Sequence, residues 1–425
     1  MLIYFKIKNF RSIKDELILD MSKHYSSDST ALKNNNFKIE GVNLIKSLIV
    51  YGRNASGKSN IFKAFDAFNY LIKNSDKFKH GENIPTYEPF TFEKSILGYP
   101  VEFEICFIAK DKIKYRYSVR FDEKQFLNES LFFWPNGVES KLFNRDLENF
   151  SFGEYYKGEK ASIQKDLLCN QLYLSKSATK NVQFLKEVFI FLTKYLIVST
   201  VHAEEYDRSL ISSACDFMIK DNLRKENMKI LLKAADTNIL DFAITKMDEK
   251  NFKFPENVPD NVKKAFMDEF LYQIYTNHNL FENGKKVGVK KLPLNFESLG
   301  TKKLIAVGGL ILDALLEGSV LIIDELDKSL HPLLTKMLIS LFHSKKNNPY
   351  NAQLIFATHD SSLLDNSLFD REQIGLVDKE YEGNTIFYKL RDIKGARKDI
   401  PFEKWYLSGR FDAIPVLSDF ELKFK

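Results

Sequence analysis

The stretch "LIVYGRNASGKSNIFKAF", residues 48–65, decides how the rest of the chain is read. From Gly52 to Ser59 it fits G-x-x-x-x-G-K-[ST], the pattern of a phosphate-binding loop. Gly52 and Gly57 let the backbone curl so that the N–H groups of Asn54, Ala55, Ser56, Gly57, Lys58, Ser59 and Asn60 face inward. With the N-terminus of the following helix they present positive charge to phosphates. Lys58 is expected to reach the β- and γ-phosphates of ATP, and the Ser59 hydroxyl to ligate Mg²⁺. Upstream, "LIKSLIVY" (44–51) is an apolar run broken by one lysine, which suits a strand buried on both faces. Downstream, Ile61, Phe62, Phe65, Phe68, Leu71 and Ile72 recur at helical spacing. The loop thus sits between a strand and a helix, the context its chemistry requires.

The chain has 425 residues, 44% hydrophobic and 28% charged, an ordinary globular composition. Its 62 lysines and arginines against 57 acids give a net charge of +5, which permits a basic patch without arguing for one. Cys106, Cys169 and Cys215 lie far apart and form no C-x-x-C, which argues against a zinc site or disulfide framework. The N-terminal "MLIYFKIKNFRS" alternates apolar and charged residues as a strand does, unlike a signal peptide. No apolar run reaches the ~18 residues of a membrane span. A cytoplasmic protein without membrane partners is expected.

Residues 2–8 and 16–21 read as strands, 76–98 as loop, and "VEFEICFIA" with "IKYRYSVRFD" as a hairpin turning at 110–112. Residues 123–175 carry no clear pattern, and 180–280 read as mostly helical. Residues 301–316 form an apolar helix containing Gly308 and Gly309, each costing about 1 kcal/mol there, which implies close approach by another backbone. Strands follow at 320–324 and 352–358. Apolar strands alternating with helices mean an α/β core with a largely parallel sheet.

Three further stretches carry chemistry. "VLIIDEL" ends a buried strand in Asp324 and Glu325, two acids that need a cation opposite them. From a strand neighbouring the loop, Asp324 is placed to hold Mg²⁺ and Glu325 to orient or deprotonate the attacking water. "QLIFATHD" puts His359 at the end of another strand, on the same sheet edge. His202, His278, His331 and His343 read as surface or packing residues. "ESLGTKK" places Ser298 and Gly300 at a helix N-terminus, a second anion site and a sign that two protomers contact one nucleotide.

In order, "NFRSI", "GRNASGKS", "ESLGTKK", "VLIIDELD", "SLHP" and "FATHD" resemble the ABC-type ATPases of the SMC and RecF kind. The resemblance implies an α/β ABC-ATPase head: a mixed, largely parallel sheet flanked by helices, an antiparallel β subdomain and a compact, mainly helical insertion. It implies the two halves of the head at 1–175 and 285–425 and the insertion at 176–284. It maps the glutamate base to Glu325, the D-loop to Asp327, the switch histidine to His359 and N-terminal nucleotide contacts to Arg11 and Ser12. Ser298 and Gly300 would touch the γ-phosphate held by a second copy, so a homodimer or higher oligomer is implied.

More narrowly, "LLKAADTNILDF" (231–242), "SLHPLL" and "YLSGRFDAIP" (406–415) resemble the bacterial AAA-type ATPases of abortive infection. These are the RloA-like and AbiL-type proteins, related to the Septu and PARIS ATPases. That resemblance implies a separately encoded effector, a TOPRIM-like or nuclease toxin. The alternative is a RecF-like DNA-binding repair ATPase, for which Lys285, Lys286, Lys290 and Lys291 leave nucleic acid open as a partner.

Overall fold

The apolar runs that flank the phosphate loop become strands of one parallel sheet. The computed structural model describes residues 1–24, 32–178, 180, 182–200, 204–248, 254–255, 257–397 and 400–414; His202 and the tail beyond 414 lie outside them. Two units result. The first comprises Met1–Thr200, Gly318–Glu325 and Phe342–Lys425, the second Val201–Glu317 and Leu326–Leu341. The sequence places its insertion at 176–284.

In the first unit a six-stranded sheet runs β11 (Leu196–Ser199), β15 (Val320–Ile323), β16 (Gln353–Ala357), β5 (Ser47–Gly52), β17 (Ile374–Lys379) and β18 (Thr385–Lys389). All neighbours are parallel except β17 and β18. β5, β15 and β16 are buried at every position, which is why they read as unbroken apolar runs. A seven-stranded antiparallel sheet runs β10 (Asn149–Phe152), β9 (Ser140–Asp146), β8 (Phe126–Trp134), β7 (Lys114–Phe121), β6 (Val101–Ile108), β1 (Leu2–Lys8) and β2 (Leu17–Asp20). A ribbon of β3 (Asn36–Ile39) and β4 (Val42–Ile45) adds to the unit. The unpatterned stretch 123–175 proves to be β8 to β10 with two short helices, α2 (Ala161–Lys165) and α3 (Tyr173–Ser177).

Helix α1 (Lys58–Asn74) packs against both sheets. Phe65 stacks on Phe5 of β1 at 4.1 Å, and Phe68 meets Phe103 and Tyr117 of the antiparallel sheet at 6.1 Å. The same core takes in Leu48 and Val50 of β5, Ile322 of β15 and Ile355 of β16. Each fully buried phenylalanine contributes about 1.5–3 kcal/mol. A buried carboxylate fastens α3 to the antiparallel sheet. Glu129 accepts from the backbone N–H groups of Tyr173 (2.7 Å) and Leu174 (2.9 Å) and from the Tyr117 hydroxyl (2.8 Å), with Arg145 at 3.8 Å. The helices α4 (Gln183–Ile190) and α10 (Phe402–Leu407) complete this unit.

The second unit holds α5 (Glu204–Lys220), α6 (Asn222–Ala234), α7 (Asp260–Phe270) and α8 (Leu299–Glu317). It also holds an antiparallel meander of β12 (Asp241–Lys246), β13 (Tyr272–Glu282) and β14 (Lys285–Pro293). α9 (Pro332–His343) begins here and ends in the first unit. The helical reading of 180–280 is therefore corrected: β11, β12 and β13 interrupt it. β13 and β14 bury little and carry Asn, His and Lys where a half-buried strand would show apolar alternation, so their period is not visible. The α8 glycines do mark close packing. A methyl group on Gly309 would stand 2.5 Å from the Ala214 Cβ of α5, and one on Gly308 2.7 Å from Leu231 of α6. Among the described residues no helix is long and apolar enough to cross a membrane.

His343 is a packing residue. Its Nε2 lies 2.6 Å from the Ser47 hydroxyl at the start of β5, and its ring meets Phe369 edge-on. Burial, with Lys46 nearby, lowers its pKa to about 3. The unfolded chain takes that proton near pH 6.5 and the folded chain only near 3. Stability present above pH 6.5 is therefore lost as pH falls from 6.5 towards 3, at about 1.4 kcal/mol per unit from this group. His343→Gln is expected to flatten the acid side of a urea-midpoint-against-pH profile by one proton; an unchanged slope refutes the assignment.

Candidate nucleotide site

The loop between β5 and α1 is shaped by neighbours far away in sequence. Gly57 has φ +104°, and a methyl group there would sit 2.0 Å from the Thr385 Oγ1 of β18, so conformation and space both require glycine. Thr385 Oγ1 donates to the Ser56 carbonyl (3.0 Å) and lies 2.7 Å from the Ser12 hydroxyl. The Thr385 N–H donates to the Ser12 carbonyl, and the Asn60 amide donates to Ser12 Oγ at 2.6 Å. Arg53 is pinned by Asp378 (2.9 Å) and by the Lys379 carbonyl. Ser12 and Asn60, expected at the nucleotide, thus also brace the loop.

Lys58 is buried and its Nζ donates back to the carbonyls of Gly52 (2.5 Å) and Arg53 (3.3 Å). Burial pushes its ammonium down to about 8, against the opposing pull of Asp324 and Glu325. These acids do have the cation that their position after a buried strand demands.

The loop opens on a cleft of 910 Å³, within the range of small-molecule sites. Residues 53–60 line it together with Arg11, Ser12, Asp324 and His359. Gly52 closes β5 behind the loop, and Glu325 follows Asp324, half-buried. One expectation needs correction. Asp324 does not come from a strand beside the loop strand, because β16 lies between β15 and β5. His359, two residues past the end of β16, therefore follows the nearer strand. Spatial order in a parallel sheet need not follow chain order, and the sequence carries no sign of it.

Arg11 lines the cleft but is engaged by a neighbour that lines it too. Its guanidinium forks onto the Glu88 carboxylate, with Nη2 at 2.9 Å, and its N–H donates to the Glu88 carbonyl. Three residues of the site take a positive φ without being glycine: Arg11 (51°), Ala55 (62°) and Glu325 (52°). Such conformations persist only where surroundings hold them. Ser298, Gly300 and Asp327 belong to the second unit. Ser298 caps α8, its hydroxyl accepting from the Thr301 N–H at 3.1 Å. A methyl group on Gly300 would stand 3.2 Å from the Ser329 carbonyl, and the Asp327 carbonyl accepts from the Leu330 N–H. Sequence reasoning did not single out Arg53, Glu88, Pro89, Thr91, Phe92 and Lys379, which line the cleft, or Thr385, which braces the loop.

A nucleotide fits these residues. Lys58 is a partly desolvated cation, and the Ser56 hydroxyl is buried with no hydrogen-bond partner among the described residues. Gly57 leaves the backbone bare beside them. Ser59 and Asp324 both face the cleft and offer the oxygen donors that Mg²⁺ takes beside phosphates and water.

A family described as "AAA domain, putative AbiEii toxin, Type IV TA system" matches residues 47–188 and 201–365, more than half of the chain. The chain belongs to this AAA family. It is accordingly a nucleotide-binding ATPase, as the loop implies. No curated protein matches it. Among solved structures it is similar to the SMC head bound to the C-winged helix domain of ScpA, at 14% identity over 91% of this chain and 97% of that one, TM-score 0.40. An SMC head with an extended coiled coil, bound to the C-terminal domain of ScpA from Pyrococcus furiosus, shares 14% over 91% and 96%, TM-score 0.39. The recombination mediator protein RecF-ATPrS shares 14% over 91% and 98%, TM-score 0.36.

Gly57→Ala is expected to weaken binding of a fluorescent ATP analogue at least ~10-fold, since the added methyl meets Thr385 and the required φ is strained. Gly288→Ala, where nothing lies within 4 Å, leaves the titration unchanged.

Proposed function

We propose that two copies of this AAA-family ATPase close head-to-tail around Mg²⁺-ATP, and that the closed state controls a separately encoded effector in abortive-infection defence against phage. The observation that carries the assembly is the α8 N-terminus. Ser298 is exposed there, between Phe296 (75% exposed) and Leu299 (65%). A bare helix start flanked by exposed apolar side chains suits a contact with another chain that also meets a phosphate. The link to an effector rests on the family's description, which names a toxin of a toxin–antitoxin system.

In this reading Lys58 and the loop N–H groups hold the β- and γ-phosphates. Ser59 and Asp324 hold Mg²⁺, which would neutralise charge on the phosphates. Glu325, half-buried, positions and deprotonates the attacking water. His359, just past the end of β16, which lies between the Glu325 strand and the loop strand, donates a hydrogen bond to the γ-phosphate. Ser298, Gly300 and Asp327 of the second copy complete the site and report that assembly has occurred.

Glu325→Gln is expected to keep ATP affinity, cut turnover by about 100-fold or more and accumulate a dimer in light scattering with ATP. Lys58→Ala is expected to lose ATP binding and remain unassembled. Ser298→Glu should bind ATP yet form no dimer. A Glu325→Gln chain that binds ATP and keeps the mass of the ATP-free protein removes the assembly reading. Phage plaque counts in cells carrying the chain with its effector test the defence role: Lys58→Ala should abolish protection.

A further inference from the structure

The β13–β14 hairpin shows a pattern that ATP chemistry does not use. Its two-residue turn, Asn283 and Gly284, takes φ +50° and +78°, the geometry that continues strand twist. On one face of β13, Tyr275, Asn277, Asn279 and Phe281 alternate; opposite them on β14 stand Pro293, Lys291, Val289 and Lys286. The other face turns inward at Ile274 and Thr276, which are buried. The outward face keeps large apolar groups in solvent: Phe281 is 59% exposed and Val289 55%. The Lys291 ammonium lies over the Tyr275 ring at 4.7 Å. Lys285 and Lys290 extend the charge along the exposed edge strand. The carboxylate that β12 adds to this face, Asp241, is neutralised by Lys229 at 3.0 Å. Away from the turn, β13 borders a cavity of 420 Å³ lined by residues of both its faces, Tyr275 and Ile274 among them, together with Arg208 and Lys302.

Lysines on an edge strand can serve only to prevent edge-to-edge pairing. That role does not place Phe281, Val289 and Tyr275 on the same face as the lysines. Aromatic rings interleaved with cations are what a single-stranded nucleic acid meets: bases stack on the rings while ammonium groups follow the phosphates.

We propose that this hairpin face binds single-stranded nucleic acid, its bases stacking on Phe281 and Tyr275 and its backbone following Lys286 and Lys291, with the Arg208–Lys302 cavity receiving one end. The interaction is independent of the assembly reading and needs no ATP.

The test is fluorescence anisotropy of the full chain with labelled oligothymidylate, oligouridylate and a mixed-sequence duplex. Oligothymidylate or oligouridylate should bind more tightly than duplex, with a log–log salt slope near −0.7 per cation engaged, roughly −2 to −3 in all. Phe281→Ala should weaken single-strand binding about 10-fold. Lys286→Glu with Lys291→Glu should abolish it, with ATP-analogue binding and the melting temperature unchanged. No binding to either single strand overturns the proposal. So does equal affinity for duplex with no effect of Phe281→Ala, which would leave charge attraction alone. So would retention of binding by the double charge reversal.

Discussion

The first unit depends on α1 being buried on both flanks. Its Phe65 and Phe68 lock it to the antiparallel sheet, while Ile61, Phe62 and Ile72 belong to the core shared with the parallel sheet. Lys58 opens this helix, so the position of its ammonium is fixed by rings up to ten residues away. Interiors are packed densely enough that a helix held in this way has little freedom to shift. A flexible loop alone would not hold Lys58 desolvated; a helix start that cannot retreat does. The lowered Lys58 pKa follows from the same burial.

A second layer of constraint comes from polar braces. Thr385, Ser12 and Asn60 form a chain of short hydrogen bonds around Gly57 and Ser56. Their effect is preorganisation: the loop's N–H groups keep their aim without a ligand, so binding spends less free energy on ordering them. The positive φ values at Ala55 and Glu325 fit this picture, because surroundings that hold the loop this firmly can also hold unfavourable backbone. Arg11 shows the opposite case. Its fork onto Glu88 satisfies it within the protein, and a phosphate would have to outbid a bidentate carboxylate to recruit it.

Sequence legibility follows from where the determining contact lies. β5, β15 and β16 are legible because burial on both faces leaves only apolar residues, and α1 because its covered faces repeat at helical spacing. The loop is legible because its own residues make its shape. Thr385 is not, since its role arises from a pairing more than three hundred residues away with Ser12 and Ser56. The order β15–β16–β5 is hidden for the same reason, and with it the fact that His359 follows the strand that lies between β15 and the loop strand. β13 and β14 are concealed because their inward face includes Thr276 and His278 while their wet face carries Tyr275, Phe281 and Val289, so apolar and polar residues are not sorted by face.

β15 shows how connectivity limits the acidic residues. The strand has only four residues, and the chain reaches it from the second unit at Glu317 and returns there at Leu326. Asp324 and Glu325 are thus the last residues before the chain leaves the first unit. The N–H of Asp324 donates to the Ser199 carbonyl, continuing the ladder by one step, and at Glu325 the backbone turns sharply to φ 52°. A buried aspartate in the ladder and a glutamate on the turn are held by different means. The first is fixed by the sheet. The second sits on a turn of unfavourable φ, which its surroundings must hold. Of the two acids Glu325, proposed to activate water, is therefore the one whose placement rests on a backbone conformation that its surroundings must hold.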